Sequence, residues 1–517
     1  MLRRFHPLNA SLPLAAICLT LAACASNPPA AGSGAYVDPI GLFPMDAYDQ
    51  NVDHWIDPAV PGYDTPFLSA QAQRDHLDAL YARYFGLQAD DPSPWNPAFV
   101  AKRVYKQDGQ DIVDLQLRRI DRYDNAGKTG EDTGYGQNYR PHTEQWIDAI
   151  KQNMNARQFA LAPRYTAAAR AIATNNLFVR ELPTMDPSFF SHKLAGEGYP
   201  FDNLQISAIR PGTPVYILGR TVDDAWDYVQ TPDVQGWVKA TGVGTVDDAF
   251  ANAWRKRIRS SWGAVISASA PVRDDAGTFR FDAPAGTLLP LAPAAPPLVP
   301  LPSIDPGAQA GGQTVLVPAR DIDGRAVIRR ARLADSQIAP MPLAATPRHL
   351  AMLMKALIGR PYGWGNAGFY NDCSSELQSM FAAFGVWLPR HSSTQMSAGL
   401  FTDLSEDTPA ERLDYLMRHG KPMRTLIYIG GHVMLYLGTT YRDGQTVPLV
   451  YQDIWGLRPA DNSRRSVIGG SVIFPLLTSI PEDPSLQSLA GTTTFQISIL
   501  GAPSGSTPPP DAENPAS

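Results

Sequence analysis

Asp372-Cys373-Ser374-Ser375 stands just ahead of Leu377, Met380, Phe381 and Phe384, whose offsets trace one face of an α-helix. Gly385 supplies a C-terminal stop. The cysteine therefore opens a helix, where unpaired backbone N–H groups and the helix dipole favour an anion. A thiolate is such an anion, so this placement predicts a thiol pKa below the free value of about 8.5. The same N–H groups could hold a developing oxyanion. Asp372 and Ser374 suit the N-cap of such a helix. The chain has three cysteines, and Cys373 alone lies beyond residue 24, so no internal disulfide framework is expected. A lone thiol is either needed for chemistry or packed as a small hydrophobe.

The other two cysteines, Cys18 and Cys24, sit in an N-terminal leader. Met1-Leu2-Arg3-Arg4 is basic, residues 12–21 are apolar, and Leu21-Ala22-Ala23-Cys24 follows. This is the pattern of a secretory signal peptide, and the apolar run is too short to span a bilayer, which takes about 20 residues. Leu-Ala-Ala-Cys resembles the lipobox of bacterial lipoproteins. That resemblance implies acylation of Cys24 and a lipid anchor in the periplasm. Ala25-Ser26, without an aspartate, favours the outer membrane. Lys+Arg number 44 against Asp+Glu 50, with no basic block, which argues against a nucleic-acid partner.

At 517 residues the chain is too long for one core, and roughly three or four domains are expected. After a tether at 25–35, residues 36–175 read as a helical N-terminal domain, with amphipathic stretches at 70–86 and 143–158. Its His54, His76 and His142 are scattered and read as structural. Between 176 and 250, short β-prone runs recur about every ten residues (214–218, 226–229, 236–239), the pattern of a small barrel. Tyr199-Pro200-Phe201-Asp202-Asn203-Leu204-Gln205, Gly212-Thr213-Pro214, Trp226 and Gly236-Trp237-Val238 resemble a bacterial SH3 domain. A second SH3-like barrel is expected over 251–340, interrupted by a Pro/Ala-rich surface loop at 288–302. Residues 341–480 form the last domain, and 481–517 a partly disordered tail. Trp226 and Tyr228 are expected in the first barrel's core.

A thiolate nucleophile needs a base that can also protonate the leaving amine, and histidine does both. His391, His419 and His432 follow Cys373. His419 lies in a polar turn and His391 in a loop. His432 follows Gly430-Gly431 and opens the alternating strand Val433-Met434-Leu435-Tyr436-Leu437. A third group should orient the imidazole. On the next strand Gln452 and Asp453 point to opposite faces, so one of them serves.

Tyr362-Gly363-Trp364-Gly365, then Asp372-Cys373-Ser374-Ser375, then 388–395 (Leu-Pro-Arg-His-Ser-Ser-Thr-Gln), then Gly431-His432-Val433-Met434-Leu435-Tyr436-Leu437-Gly438 resemble the NlpC/P60 family, in its SH3-bearing branch. The resemblance implies a multidomain α+β chain ending in a papain-like cysteine peptidase, a hydrolase of cell-wall peptides. It implies Cys373 as nucleophile, His432 as base and Gln452 as third member, with Tyr362 at the oxyanion. Asp372 is implied to pair with the free amine of the substrate's L-alanine, and Ser374 and Ser392 to line the groove. Arg390 is a candidate partner for a substrate carboxylate. His391 departs from the polar or acidic residue common at its position. The implied reaction is cleavage of the γ-D-glutamyl–diamino acid bond of peptidoglycan stem peptides by a monomer, with no metal or cofactor. The alternatives are a non-catalytic wall-binding lipoprotein, and an amidase or acyltransferase on the same fold.

Overall fold

A computed structural model describes residues 40–161, 165–192, 194, 196–293 and 311–501. The signal, the Cys24 lipobox, the tether at 25–35, most of the 288–302 insertion and the tail from 502 lie outside the described residues.

Two strand-rich bodies match the alternating runs seen in the sequence. In the first, seven strands run in the order Gln205–Ile209, Leu177–Arg180, Gln235–Lys239, Trp226–Gln230, Pro214–Arg220, Arg170–Ala173, Val243–Thr245. Its interior is small and aliphatic, with Val179, Val215, Val229 and Val238 fully buried. Helix Asp248–Ser260 leads to the second. There five strands run Ala326–Leu333, Gln313–Arg320, Leu288–Ala292, Trp262–Val265, Ile338–Met341, and the hairpin Ser269–Arg273/Phe279–Pro284 closes over Phe281. The expected loop at 288–302 is corrected at its start: Leu288–Ala292 is a largely buried strand between two others.

The third body is a seven-stranded sheet, in the order Ile40–Leu42, Arg465–Pro475, Gln445–Leu457, Val433–Arg442, Thr425–Tyr428, Gln496–Ile499, Leu400–Asp403. Helix Cys373–Ala383 covers one face with Leu377, Met380 and Phe381, and helix Pro409–His419 covers the other with Leu413 and Leu416. The expected end of this domain at 480 is wrong, because Gln496–Ile499 is an interior strand paired on both sides.

The N-terminal segment is not the separate helical domain that was expected. Ile40–Leu42 adds a parallel strand to the Arg465–Pro475 edge. Helix Ala70–Phe85, capped by Ser69 and ended at Gly86, buries Leu80 and Phe85 in the core that also holds the Cys373 helix. Gln110–Tyr123 and Glu144–Met154 pack their apolar faces on the outside of the first barrel, against Tyr216, Trp226, Tyr228 and Trp237. Trp226 and Tyr228 are thus buried, and their partners are these helices. The apolar residues of these helices, among them Val104, Ile112, Ile120, Ile147 and Met154, form one cluster together with the barrel's outer face.

Candidate active site

Helix Cys373–Ala383 begins with a capping box. Asp372 Oδ1 accepts from Ser375 N at 3.0 Å, and Ser375 Oγ accepts from Asp372 N at 2.8 Å. Beyond Phe384, Gly385 turns with φ +79°, a left-handed value that glycine takes without penalty. The expected apolar face is buried, and so is the polar one, where Ser375, Glu376 and Ser379 are almost inaccessible. The reason is tertiary. Arg210 of the first barrel donates to Ser379 Oγ and to Gly286 O of the second, so both barrels close on the back of the helix.

Cys373 is itself buried, and the Val433 backbone N–H points at its sulfur. Gly430 and Gly431, at φ +75° and +86°, form the turn that presents His432 at the start of strand Val433–Arg442. His432 Nε2 lies 2.7 Å from Gln452 Oε1. An amide oxygen only accepts, so Nε2 carries the proton and Nδ1 is the basic nitrogen. The open choice between Gln452 and Asp453 is settled as geometry: Gln452 meets the imidazole, and Asp453 faces the Cys373 helix beside Glu376.

The low thiol pKa expected from the helix terminus is not found. Burial and the neighbouring Asp372 carboxylate push the Cys373 thiol up to about 12, outweighing the Val433 N–H. Burial pushes the His432 imidazolium down to about 4, against the favourable Gln452 and Asp372. The resting pair is therefore neutral thiol and neutral imidazole. Tyr362 is placed near the thiol, and burial together with Cys373, Asp372 and Asp453 raises its phenol well above the ordinary range. It keeps its proton and can act as a donor.

One expected substrate contact is corrected. Arg390 is 5% exposed, and all five guanidinium N–H positions are spent. Nε donates to Ser207 Oγ, Nη1 to Asp372 Oδ1 and Ser374 Oγ, and Nη2 to Asn366 Oδ1 and Asp372 Oδ2. No donor is left for a substrate carboxylate. Asp372 Oδ1 accepts from Ser375 N, Ser374 Oγ and Arg390, while Oδ2 accepts from Arg390 alone and has room for a further donor. Arg390 holds its carboxylate below the usual range. Ser374 is buried within this network, whereas Ser392 is half-buried in the following loop. Sequence reasoning missed Ser207 and Asn366, which tie the first barrel and the Tyr362 loop to this pair.

Tyr362 meets one ring, and that ring meets another from the first barrel. Trp455 lies 6.2 Å from it, and Phe201 of the first barrel packs edge-on against Trp455 at 5.5 Å and Trp364 at 5.2 Å.

Residues 187–239 match the SH3 domain of SH3b1 type, 247–296 the SH3 domain of SH3b2 type, and 359–455 the NlpC/P60 family. Over 82 residues the chain is 34% identical to the γ-D-glutamyl-L-lysine dipeptidyl-peptidase of Bacillus subtilis (strain 168), an overlap of 15% of this chain and 28% of that protein. The chain thus matches little more than a quarter of that relative's length. An NlpC/P60 endopeptidase from Photobacterium damselae subsp. piscicida shares the fold, with a TM-score of 0.71 and 24% identity over 90% of this chain and 99% of that one.

Proposed function

We propose that this chain, which carries an NlpC/P60 domain behind two bacterial SH3 domains, is a cysteine peptidase cutting the γ-D-glutamyl–diamino acid bond of peptidoglycan stem peptides. The observation that carries the reading is the His432–Gln452 hydrogen bond beside a thiol at a helix N-terminus. The Bacillus subtilis relative supports the γ-D-glutamyl specificity.

Gln452 fixes the tautomer, so Nδ1 of His432 takes the Cys373 proton as sulfur attacks the γ-carbonyl carbon. Burial makes neither charge stable alone, so proton transfer and attack are coupled. The Cys373 backbone N–H and the Tyr362 hydroxyl hold the oxyanion. The C–N bond then breaks, His432 gives its proton to the departing amine, and a thioester remains on Cys373. Water, deprotonated by His432, hydrolyses that thioester.

The preference for a free L-alanine amine, expected from sequence, rests on Asp372, whose Oδ2 accepts from Arg390 alone, and on a position where His391 replaces the common polar or acidic residue. The lipobox supports a Cys24-anchored periplasmic protein of the outer membrane. Radiolabelled palmitate entering the wild type and not Cys24→Ser would test that placement.

The decisive experiment incubates the protein with L-Ala-γ-D-Glu-meso-diaminopimelate and its L-lysine counterpart, read by mass spectrometry beside Cys373→Ala. Release of L-Ala-D-Glu by the wild type alone supports the reading. Folded protein that leaves both peptides and purified sacculi intact would overturn it.

A further inference from the structure

Between helix Ala70–Phe85 and helix Asp248–Ser260 lies a cleft of about 280 Å³. Tyr81 and Phe85 wall it from the first helix, Arg255 and Arg259 from the second, and Leu87, Gln88 and Asp91 complete it. Cys373, His432 and Gln452 take no part in its lining.

Arg255 is 8% exposed, yet its Nε and Nη2 have no hydrogen-bond partner. These two N–H groups share one edge of the guanidinium, the edge that takes a two-oxygen anion side-on. The Trp95 ring, 5.2 Å away, attracts the charge but gives in-plane donors no acceptor. Burial lowers the Arg255 pKa, and Asp248 offsets little of this because it pairs with Arg170 at 2.6 Å. A guanidinium keeps its proton all the same, so a buried charge stands uncompensated, which is costly. Nearby, Trp254 Nε1 and Trp262 Nε1 are also buried without partners, and the Trp262 ring meets Phe85 at 6.0 Å. All of these unmatched atoms are donors, so the region is short of acceptors.

Arg259, one turn beyond Arg255, is exposed and stacks on Tyr81 at 3.7 Å. Among the described residues neither arginine has an ion-pair partner. Asp91, the acid in the wall, is turned onto its own loop, where Oδ2 accepts from the Gln88 N–H at 2.8 Å. Two unpaired guanidinium groups match a phosphate monoester, which carries about −1.5 to −2 charges at pH 7, whereas a carboxylate would neutralise only one. Tyr81, Phe85 and Leu87 offer apolar surface to the body of such a molecule. We infer that this cleft binds a small phosphate monoester with an aromatic or apolar body. Two phosphate oxygens meet the Nε–Nη2 edge of Arg255, and the third faces Arg259. That edge is closed to water, and the exposed side chains of Leu87, Gln88 and Arg259 move to admit the anion. The site stands apart from the peptidase reading, and its test needs no turnover.

Full-length protein in phosphate-free buffer is titrated calorimetrically with phenyl phosphate, phenol and benzoate. Phenyl phosphate is expected to bind one to one, about tenfold or more tighter than either of the others. Arg259→Gln, an exposed change, should weaken it about tenfold, and Arg255→Met should abolish the heat. Because Met replaces an uncompensated charge, Arg255→Met should melt no lower than the wild type, and phenyl phosphate should raise the melting temperature of the wild type alone. Absence of binding by the wild type, equal affinity for phenol, or affinity unchanged in both variants overturns the site. A melting temperature that drops in Arg255→Met also overturns it, because the guanidinium would then be satisfied within the fold. Benzoate binding as tightly as phenyl phosphate overturns the assignment of a phosphate ligand.

Discussion

His432 Nε2 donates to Gln452 Oε1 across 2.7 Å, and this single bond leaves Nδ1 as the unprotonated imidazole nitrogen, the base of the proposed mechanism. Replacing Gln452 with Ala leaves His432 free to rotate and to change tautomer. The expected result is a fall in kcat of about 100-fold with little change in KM. Gln452→His keeps a ring nitrogen able to accept and should retain most of the activity. Steady-state kinetics on the tripeptide distinguish these outcomes, and a loss confined to KM would count against an orienting role.

Cys373 and His432 also mark the pH range of the fold. The folded pKa of His432, about 4, lies below its unfolded value of about 6.5. Its contribution to stability is complete above pH 6.5 and declines as pH falls toward 4. The Cys373 value, about 12, lies above its unfolded value, so its contribution is complete below about pH 8.5 and declines as pH rises. Urea titrations of the wild type should lose stability on both sides of this window. His432→Gln should flatten the acid side, and Cys373→Ala the alkaline side. Iodoacetamide labelling of Cys373 in the free protein should keep accelerating above pH 9, with no plateau at neutral pH.

Arg390 is a structural hub. Its removal strands the buried Asp372 carboxylate and three further acceptors. Arg390→Gln should therefore destabilise the protein by about 3–5 kcal/mol in denaturant. Arg390→Lys should rescue little of this, since an ammonium cannot reproduce the planar fork. A variant of near wild-type stability with a raised KM would return Arg390 to the substrate groove.

Asp453 is buried with Oδ1 unpartnered, and burial with nearby Glu376 raises its pKa well above the ordinary range. A carboxyl raised in this way contributes stability that fades as pH climbs from its unfolded value of about 3.9 through the folded one. Asp453→Asn cannot ionise, so its stability relative to the wild type should improve between pH 5 and pH 8. A difference independent of pH would show that Asp453 does not hold its proton in the fold.

The parts of the site that lie in short stretches of sequence were legible. The Cys373 helix, its Asp372 cap, the glycine turn before His432 and the following strand each follow from local spacing. What could not be read were pairings between distant segments. Arg390 looked like a free cation because Ser207, its partner in the first barrel, lies far upstream. The thiol pKa was misjudged for the same reason. The helix terminus is a local feature, but the burial that overrides it comes with the sheet, whose Val433 and Asp453 lie beside the thiol. Residues 36–175 looked like a domain because helical periodicity reports an apolar face and is silent on what covers it.

Strand Gln496–Ile499 lies between Thr425–Tyr428 and Leu400–Asp403 and is the link between them in the sheet. Synthesis delivers the two outer strands long before the one that joins them. A nascent chain must therefore wait with both of those edges unpaired, and the sheet that backs Cys373 closes only when this late segment arrives. Products broken off before residue 496 would lack that closure and leave both edges open to proteolysis.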